Sequence, residues 1–156
     1  MTGATERGEE TVETALRQRL GRLDVATAGT GFTDITAALD RWLADGSAGD
    51  GLLTVLIRHT SASLTIQENA DPDVLRDLGD ALSGLAPEEA RYRHSLEGPD
   101  DMPAHIKSAL TDASLSIPVR GGRLDLGTWQ GIYVVEHRTR PHRRSLSLHF
   151  LGALLS

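Results

Sequence analysis

No cysteine occurs among the 156 residues, which excludes disulfides, thiolate zinc sites and cysteine nucleophiles, and fits a reducing compartment. Positive charge is in deficit. Sixteen Lys and Arg against 22 Asp and Glu give a net charge of −6, and a negative field disfavours nucleic acid and anionic membranes. The one basic run, "HRTRPHRR" from His137 to Arg144, fits a solvated hairpin turn bent at Pro141. No apolar run approaches the roughly 20 residues of a membrane span. The amino terminus "MTGATERGEETVE" lacks the basic-then-apolar order of a signal peptide. Missing too are a Gly-rich nucleotide loop, a nucleophile elbow and a His-Glu-x-x-His helix. These absences lead to the expectation of a soluble, cytoplasmic protein with neither nucleic-acid nor membrane partners.

What is present has ordinary globular composition, 39% hydrophobic and 24% charged. A chain of this length buries roughly 70% of its unfolded surface, enough for a core without metal or disulfide staples. Residues 1–14 are polar and predict a disordered lead-in. Residues 15–156 predict one α+β domain, with a mainly antiparallel sheet and a few packed helices. Strands are expected over residues 16–27, 52–57, 63–67, 114–119, 132–136 and 145–151. "TDITAALDRWLADG" has helical spacing at Ile35, Leu39, Trp42 and Leu43, with Thr33 or Asp34 as cap and Gly46 as stop. "DPDVLRDLGDALSGL" predicts a helix capped by Asp71 with Pro72 in its first turn. A short helix is expected over "AHIKSALT", starting near Pro103 with Asp101 as a possible cap, and a tight turn at Gly121-Gly122.

Three polar clusters are candidate sites. In "RHTSASLTIQENADPD", His59 and Ser61 follow a buried strand and precede Glu68, Asn69, Asp71 and Asp73. A rigid strand end is a good platform for reactive groups, although Asn69 and Asp71 also serve as turn and cap residues. "HSLEGPDDMPAHIK" gathers His94, His105, Glu97, Asp100 and Asp101 into 14 positions. Pro99 and Pro103 keep the two histidines off a common helix face. A loop folded back on itself would bring both imidazoles to one ion, with carboxylates completing or orienting the shell; surface decoration is the alternative. The spacing matches no standard metal signature. In "GRLDLGTWQGIYVVEHR", Gly127 and Gly131 bracket Thr128, Trp129 and Gln130, which offer an indole face beside an amide. The alternative for Trp129 is ordinary core. Glu136 and His137, adjacent on a strand, point to opposite faces.

These three stretches, in this order, closely resemble the YjbQ-type family, also called the secondary thiamine-phosphate synthase family, over about Gly31 to Gly152. His59, His94 and His105 each fall where the family motif has histidine. Glu68, Asn69 and Asp71 match the first motif, and Thr128, Trp129, Gln130 and Glu136 the third. The resemblance implies a small α+β homotrimer with sites near subunit contacts. It also implies a transferase, thiamine-phosphate synthase, acting on a small phosphorylated substrate with a divalent metal, Zn or Mg. Charge on a departing pyrophosphate needs neutralising, and histidine suits zinc better than Mg²⁺. On this basis His59, His94 and His105 are the expected metal ligands, and His59, Asp101 and Glu68 the expected catalytic groups. Ser61, Asn69, Thr128, Trp129 and Gln130 are the expected substrate contacts. The competing expectation is a non-catalytic ligand-binding or assembly module, whose histidines form an interface network.

Overall fold

A computed structural model describes residues 3–5, 7, 8 and 10–156. Of the expected lead-in, residues 1, 2, 6 and 9 lie outside the described ones, and the described residues up to Leu16 form neither helix nor strand. Eight strands and three helices follow in the order β1 (Arg17–Thr27), β2 (Gly31–Asp34), α1 (Thr36–Asp45), β3 (Ala48–Ile57), β4 (Ala62–Glu68), α2 (Pro72–Leu85), α3 (Asp101–Leu110), β5 (Ser114–Arg120), β6 (Arg123–Leu124), β7 (Gln130–Glu136) and β8 (His142–Leu154). They build a single α+β domain of two antiparallel sheets, one ordered β1-β8-β3-β5-β6 and the other β2-β7-β4.

Alternation explains the packing. Along β8, Leu146, Leu148 and Phe150 point inward opposite Ile57, Val55 and Leu53 of β3. The intervening residues face outward, as period-two geometry requires. Ala62, Leu64, Ile132 and Val134 come from the smaller sheet to meet them in one core, which Leu39 and Leu43 of α1 close. The odd-numbered partners on the smaller sheet, Ser63, Tyr133 and Val135, point to its other face. There α2 and α3 pack against β4. The smaller sheet is therefore buried on both sides, with β7 covered along nearly its whole length.

Several expectations need correction. The segment from His137 to Pro141 is not a hairpin turn, because β7 and β8 belong to different sheets and it carries the chain between layers. Gly31–Asp34 pairs with β7 although four residues offer no readable alternation. α3 begins at Asp101, so Asp101 is its first helical residue rather than its cap, and Asp100 at the cap position makes no side-chain capping bond. Pro103 does not stop this helix because it sits in the first turn, where an N–H has no intrahelical acceptor. Asp71 does cap α2, accepting the Asp73 N–H at 2.9 Å. The Gly121-Gly122 turn has φ of 56° and 79°. A Cβ on Gly122 would lie 2.4 Å from the Ala48 carbonyl oxygen, so only glycine fits there.

Candidate functional site

The loop between α2 and α3 folds back over the start of α3, and Gly98 (φ 104°) permits that reversal. The result brings His94 and His105 onto Asp101, which lies between them in the sequence. His94 Nε2 lies 2.6 Å from Asp101 Oδ2, and His105 Nε2 lies 3.1 Å from the same oxygen. One ligand atom from each of the three residues falls within 4.8 Å of the others. Asp101 is buried, His94 is exposed and His105 is intermediate, so the cluster has a rigid floor and an open side. A hollow of about 530 Å³ lies beside it, bordered by Glu88, Tyr92, His94 and Pro99.

Two of the three members, His105 and Asp101, are held from behind. His105 Nδ1 donates to the Thr60 carbonyl at 2.9 Å, so a neutral ring turns its lone pair on Nε2 toward Asp101. Arg138 Nη1 donates to Asp101 Oδ1 at 2.6 Å, its Nε to Asp100 Oδ2 at 3.0 Å and its Nη2 to the Glu97 carbonyl at 2.9 Å. That grip leaves Oδ2 as the free oxygen of Asp101. Burial pushes the Asp101 carboxyl up. The His94 hydrogen bond and the charges of Arg138 and His105 outweigh it, so the group stays ionised below the usual range. Asp100 is also buried, but the Arg138 hydrogen bond and the Thr139 amide (2.9 Å) draw it down to about 2. Asp100 therefore fastens the loop after β7 to the start of α3.

The donor chemistry fits a divalent cation. Two imidazole nitrogens face one carboxylate oxygen, and with His105 Nδ1 committed to Thr60, its Nε2 lone pair would meet an anion unless a proton or a metal ion lies between them. Two nitrogens and one oxygen, open on one side, suit zinc and similar borderline metals and suit Mg²⁺ poorly.

His59 is not in this cluster. Its Nε2 accepts the Ser145 N–H at 2.8 Å, which in a neutral ring places the proton on Nδ1. Burial and the nearby Arg144 charge lower its pKa further. It borders a separate buried network in which Arg144 donates through Nε to Glu136 Oε1 (2.8 Å) and through Nη2 to Glu136 Oε2, and Thr27 donates to Oε1 at 2.6 Å. Ser61 joins that network through its carbonyl, which accepts from Arg144 at 3.2 Å.

The remaining candidates assemble elsewhere. Asn69 N donates to the Trp129 carbonyl at 3.0 Å, its side chain reaches the Thr128 and Gln130 carbonyls at 3.4 Å, and Gln130 Oε1 accepts the Gly127 N–H at 2.8 Å. The Glu68 carbonyl accepts from Tyr133 at 3.2 Å. Glu68 pairs with Gln130 at one end of β4, whereas Ala62 pairs with Glu136 at the other. Six strand steps at about 3.3 Å separate the ends by roughly 20 Å. Glu68 thus does not reach Asp101 and His105 within one chain. Trp129 is 64% exposed and is not core. Sequence reasoning overlooked Arg138, although "EHR" stands inside the third motif; its role depends on a contact 37 residues away.

His137 makes the site's surroundings pH-sensitive. Buried, it meets Ser63 Oγ at 2.8 Å, and burial with the Lys107 charge lowers its pKa to about 4. The unfolded ring titrates near 6.5. The unfolded state therefore takes up protons first, and stability present above pH 6.5 is lost as pH falls toward 4. Between pH 7 and pH 5 this contribution should fall by about 2 kcal/mol. Urea unfolding at both pH values should show that drop in the wild type, with His137→Gln losing correspondingly less.

Comparisons with known proteins agree with this architecture. A profile of the family described as "UPF0047 protein YjbQ-like" matches residues 21–153. A UPF0047 protein of Synechocystis sp. is 52% identical over 137 residues, covering 87% of this chain and 93% of its own. The crystal structure of an uncharacterized conserved protein of the YjbQ/UPF0047 family from Clostridium acetobutylicum is 37% identical, with a TM-score of 0.76 over 83% of this chain and 98% of its own. A hypothetical protein from Aeropyrum pernix is 32% identical, with a TM-score of 0.79 over 86% and 99% of the two chains.

Proposed function

This chain belongs to the UPF0047, YjbQ-like family, and on that premise we propose that it is a metal-assisted enzyme acting on a small phosphorylated substrate. The observation that carries the proposal is the convergence of His94, His105 and Asp101 beside an open hollow. Packing alone does not require two imidazoles on one buried carboxylate oxygen. His94 Nε2, His105 Nε2 and Asp101 Oδ2 would hold the ion. A divalent cation bound there supplies positive charge opposite a departing phosphate or pyrophosphate group. Thr60 and Arg138 keep the ligands aimed, and the low pKa of Asp101 keeps its carboxylate anionic.

In its finer form the reaction is thiamine-phosphate synthesis. The thiazole phosphate nitrogen attacks the methylene of hydroxymethylpyrimidine pyrophosphate, a C–N bond forms, and pyrophosphate leaves with the C–O bonding pair. The Trp129 indole offers a stacking face for such a ring, and in this reading a neighbouring subunit's copy would supply it. Elemental analysis of chelator-stripped protein after zinc exposure tests the metal, with one ion per chain expected. Pyrophosphate release from the two substrates tests the finer form. A chain that retains no divalent metal sinks the proposal.

A homotrimer is part of this reading. Among the described residues no helix is long and apolar enough to cross a membrane, yet the outer face of the larger sheet carries Leu20, Leu52, Leu56 and Leu151, each more than 40% exposed. Leu52 and Leu151 are cross-strand partners, so the leucines form a surface suited to self-association. Leu52→Asp should convert the trimer to monomer by light scattering, with the circular dichroism spectrum retained.

A further inference from the structure

The hollow beside the metal cluster has a wall that the proposed chemistry leaves unused. Tyr92, half-buried, borders it two residues before His94, which borders it as well. Two residues of chain span at most about 7 Å, so phenol and imidazole share one space of about 530 Å³, the size of a small-molecule site. The Tyr92 O–H is spent on the Pro87 carbonyl, to which it donates at 2.8 Å. That bond fixes the ring, and what Tyr92 offers the hollow is its aromatic surface rather than a donor. Ala90 and Pro99 extend the carbon-rich wall. Glu88 and Arg91, which also border the hollow, cancel in formal charge. The attraction for an anion therefore sits at the His94 end, with the ion held there.

We infer that Tyr92 selects the organic part of the substrate: a flat aromatic or heteroaromatic ring lies against the phenol while its phosphate points to His94 and the metal. An apolar wall at one end and a cation at the other match a ring that carries phosphate on a short arm. They match a sugar phosphate poorly, because its hydroxyls would lose water against Ala90, Tyr92 and Pro99 without gaining partners. Ring-on-ring contact adds an orientation-dependent attraction to the area it buries. Tyr92 belongs to the same chain as the cluster, so this half of the site needs no neighbour, unlike a Trp129 platform. The rival role for Tyr92 is to brace, through its Pro87 bond, the loop that carries His94.

The inference rests on the proposed enzymatic reading, and the experiment separates the two. Benzylphosphonate and methylphosphonate share a head group and differ by the ring. Both are titrated by calorimetry into zinc-loaded and chelator-stripped protein, for the wild type, Tyr92→Ala and Tyr92→Phe. The wild type is expected to favour benzylphosphonate by about tenfold. Tyr92→Ala should lose most of that preference with zinc content and methylphosphonate affinity unchanged, and Tyr92→Phe, which keeps the ring and drops the Pro87 bond, should retain it. A wild type that binds neither compound, or binds both equally, overturns the proposal, as does a preference that survives in Tyr92→Ala. Equal losses in Tyr92→Ala and Tyr92→Phe assign Tyr92 to bracing the loop and also overturn it. Should the wild type hold no zinc while the preference still falls in Tyr92→Ala and stays in Tyr92→Phe, the metal reading fails and the Tyr92 assignment stands.

Discussion

Replacing His94 or His105 by alanine is expected to weaken zinc binding by more than about 100-fold, beyond the 10–100-fold typical when a group supporting a ligand is removed. Each replacement takes one of three donor atoms that lie within 4.8 Å of one another. Neither should cost much stability, because His94 is exposed and His105 only intermediate. Arg138→Met removes no donor. It frees Asp101 Oδ1 and leaves Asp100 tied to the β7–β8 connection through Thr139 alone, so about 10–100-fold weaker zinc binding should accompany lower stability. His59→Ala discriminates best. With its Nε2 occupied by the Ser145 amide, that variant should bind zinc like the wild type. Isothermal titration across the set decides. Equal losses in His59→Ala and His94→Ala would restore the three-histidine site expected from sequence and reject the His94–Asp101–His105 set.

That contrast shows what the linear pattern conveys and what it hides. The alternation in "SLSLHFL" and the spacing of Leu39 and Leu43 report burial directly, so α1 emerges close to its observed bounds and the middle of β8 is found, three residues short at each end. The approach of His94 to His105 also has a local cause, since Gly98 and Pro99 force a reversal within eleven residues. His59 offered no comparable signal. Its partner at Ser145 lies 86 residues away, and only the pairing of β3 with β8 brings them together. The same limit explains Glu68 and the Trp129 turn. Motif order groups them with the histidines, while strand register places them at the far end of β4 and β7. A motif records which residues are present; register decides which end of the sheet receives them. Arg138 was visible as a letter in the quoted stretch, but only its tertiary contacts give it a role.

Arg144→Met is expected to be the most destabilising single substitution considered, by about 3–5 kcal/mol, because it strands a buried carboxylate. Glu136 is 1% exposed and Arg144 3%, and the guanidinium grips both carboxylate oxygens from across the core. Burial pushes the Glu136 carboxyl up, but hydrogen bonds from Arg144 and Thr27 bring it below its ordinary value. Without Arg144 the burial penalty stands against only a hydroxyl bond from Thr27 and the Arg138 N–H. The pair Glu136→Leu with Arg144→Met should recover most of the loss, since a buried ion pair is replaceable by apolar groups of similar volume. Urea unfolding of the two single variants and the double one measures the coupling, and a single-variant loss under about 1 kcal/mol would contradict the buried pair. Zinc affinity should follow a different course. Glu136 Oε2 also accepts the Arg138 N–H at 3.2 Å, so the buried pair anchors the backbone from which Arg138 reaches Asp101. The double variant loses that anchor. Its stability should return while its zinc affinity stays below wild type, which would separate what this network contributes to the fold from what it contributes to the site.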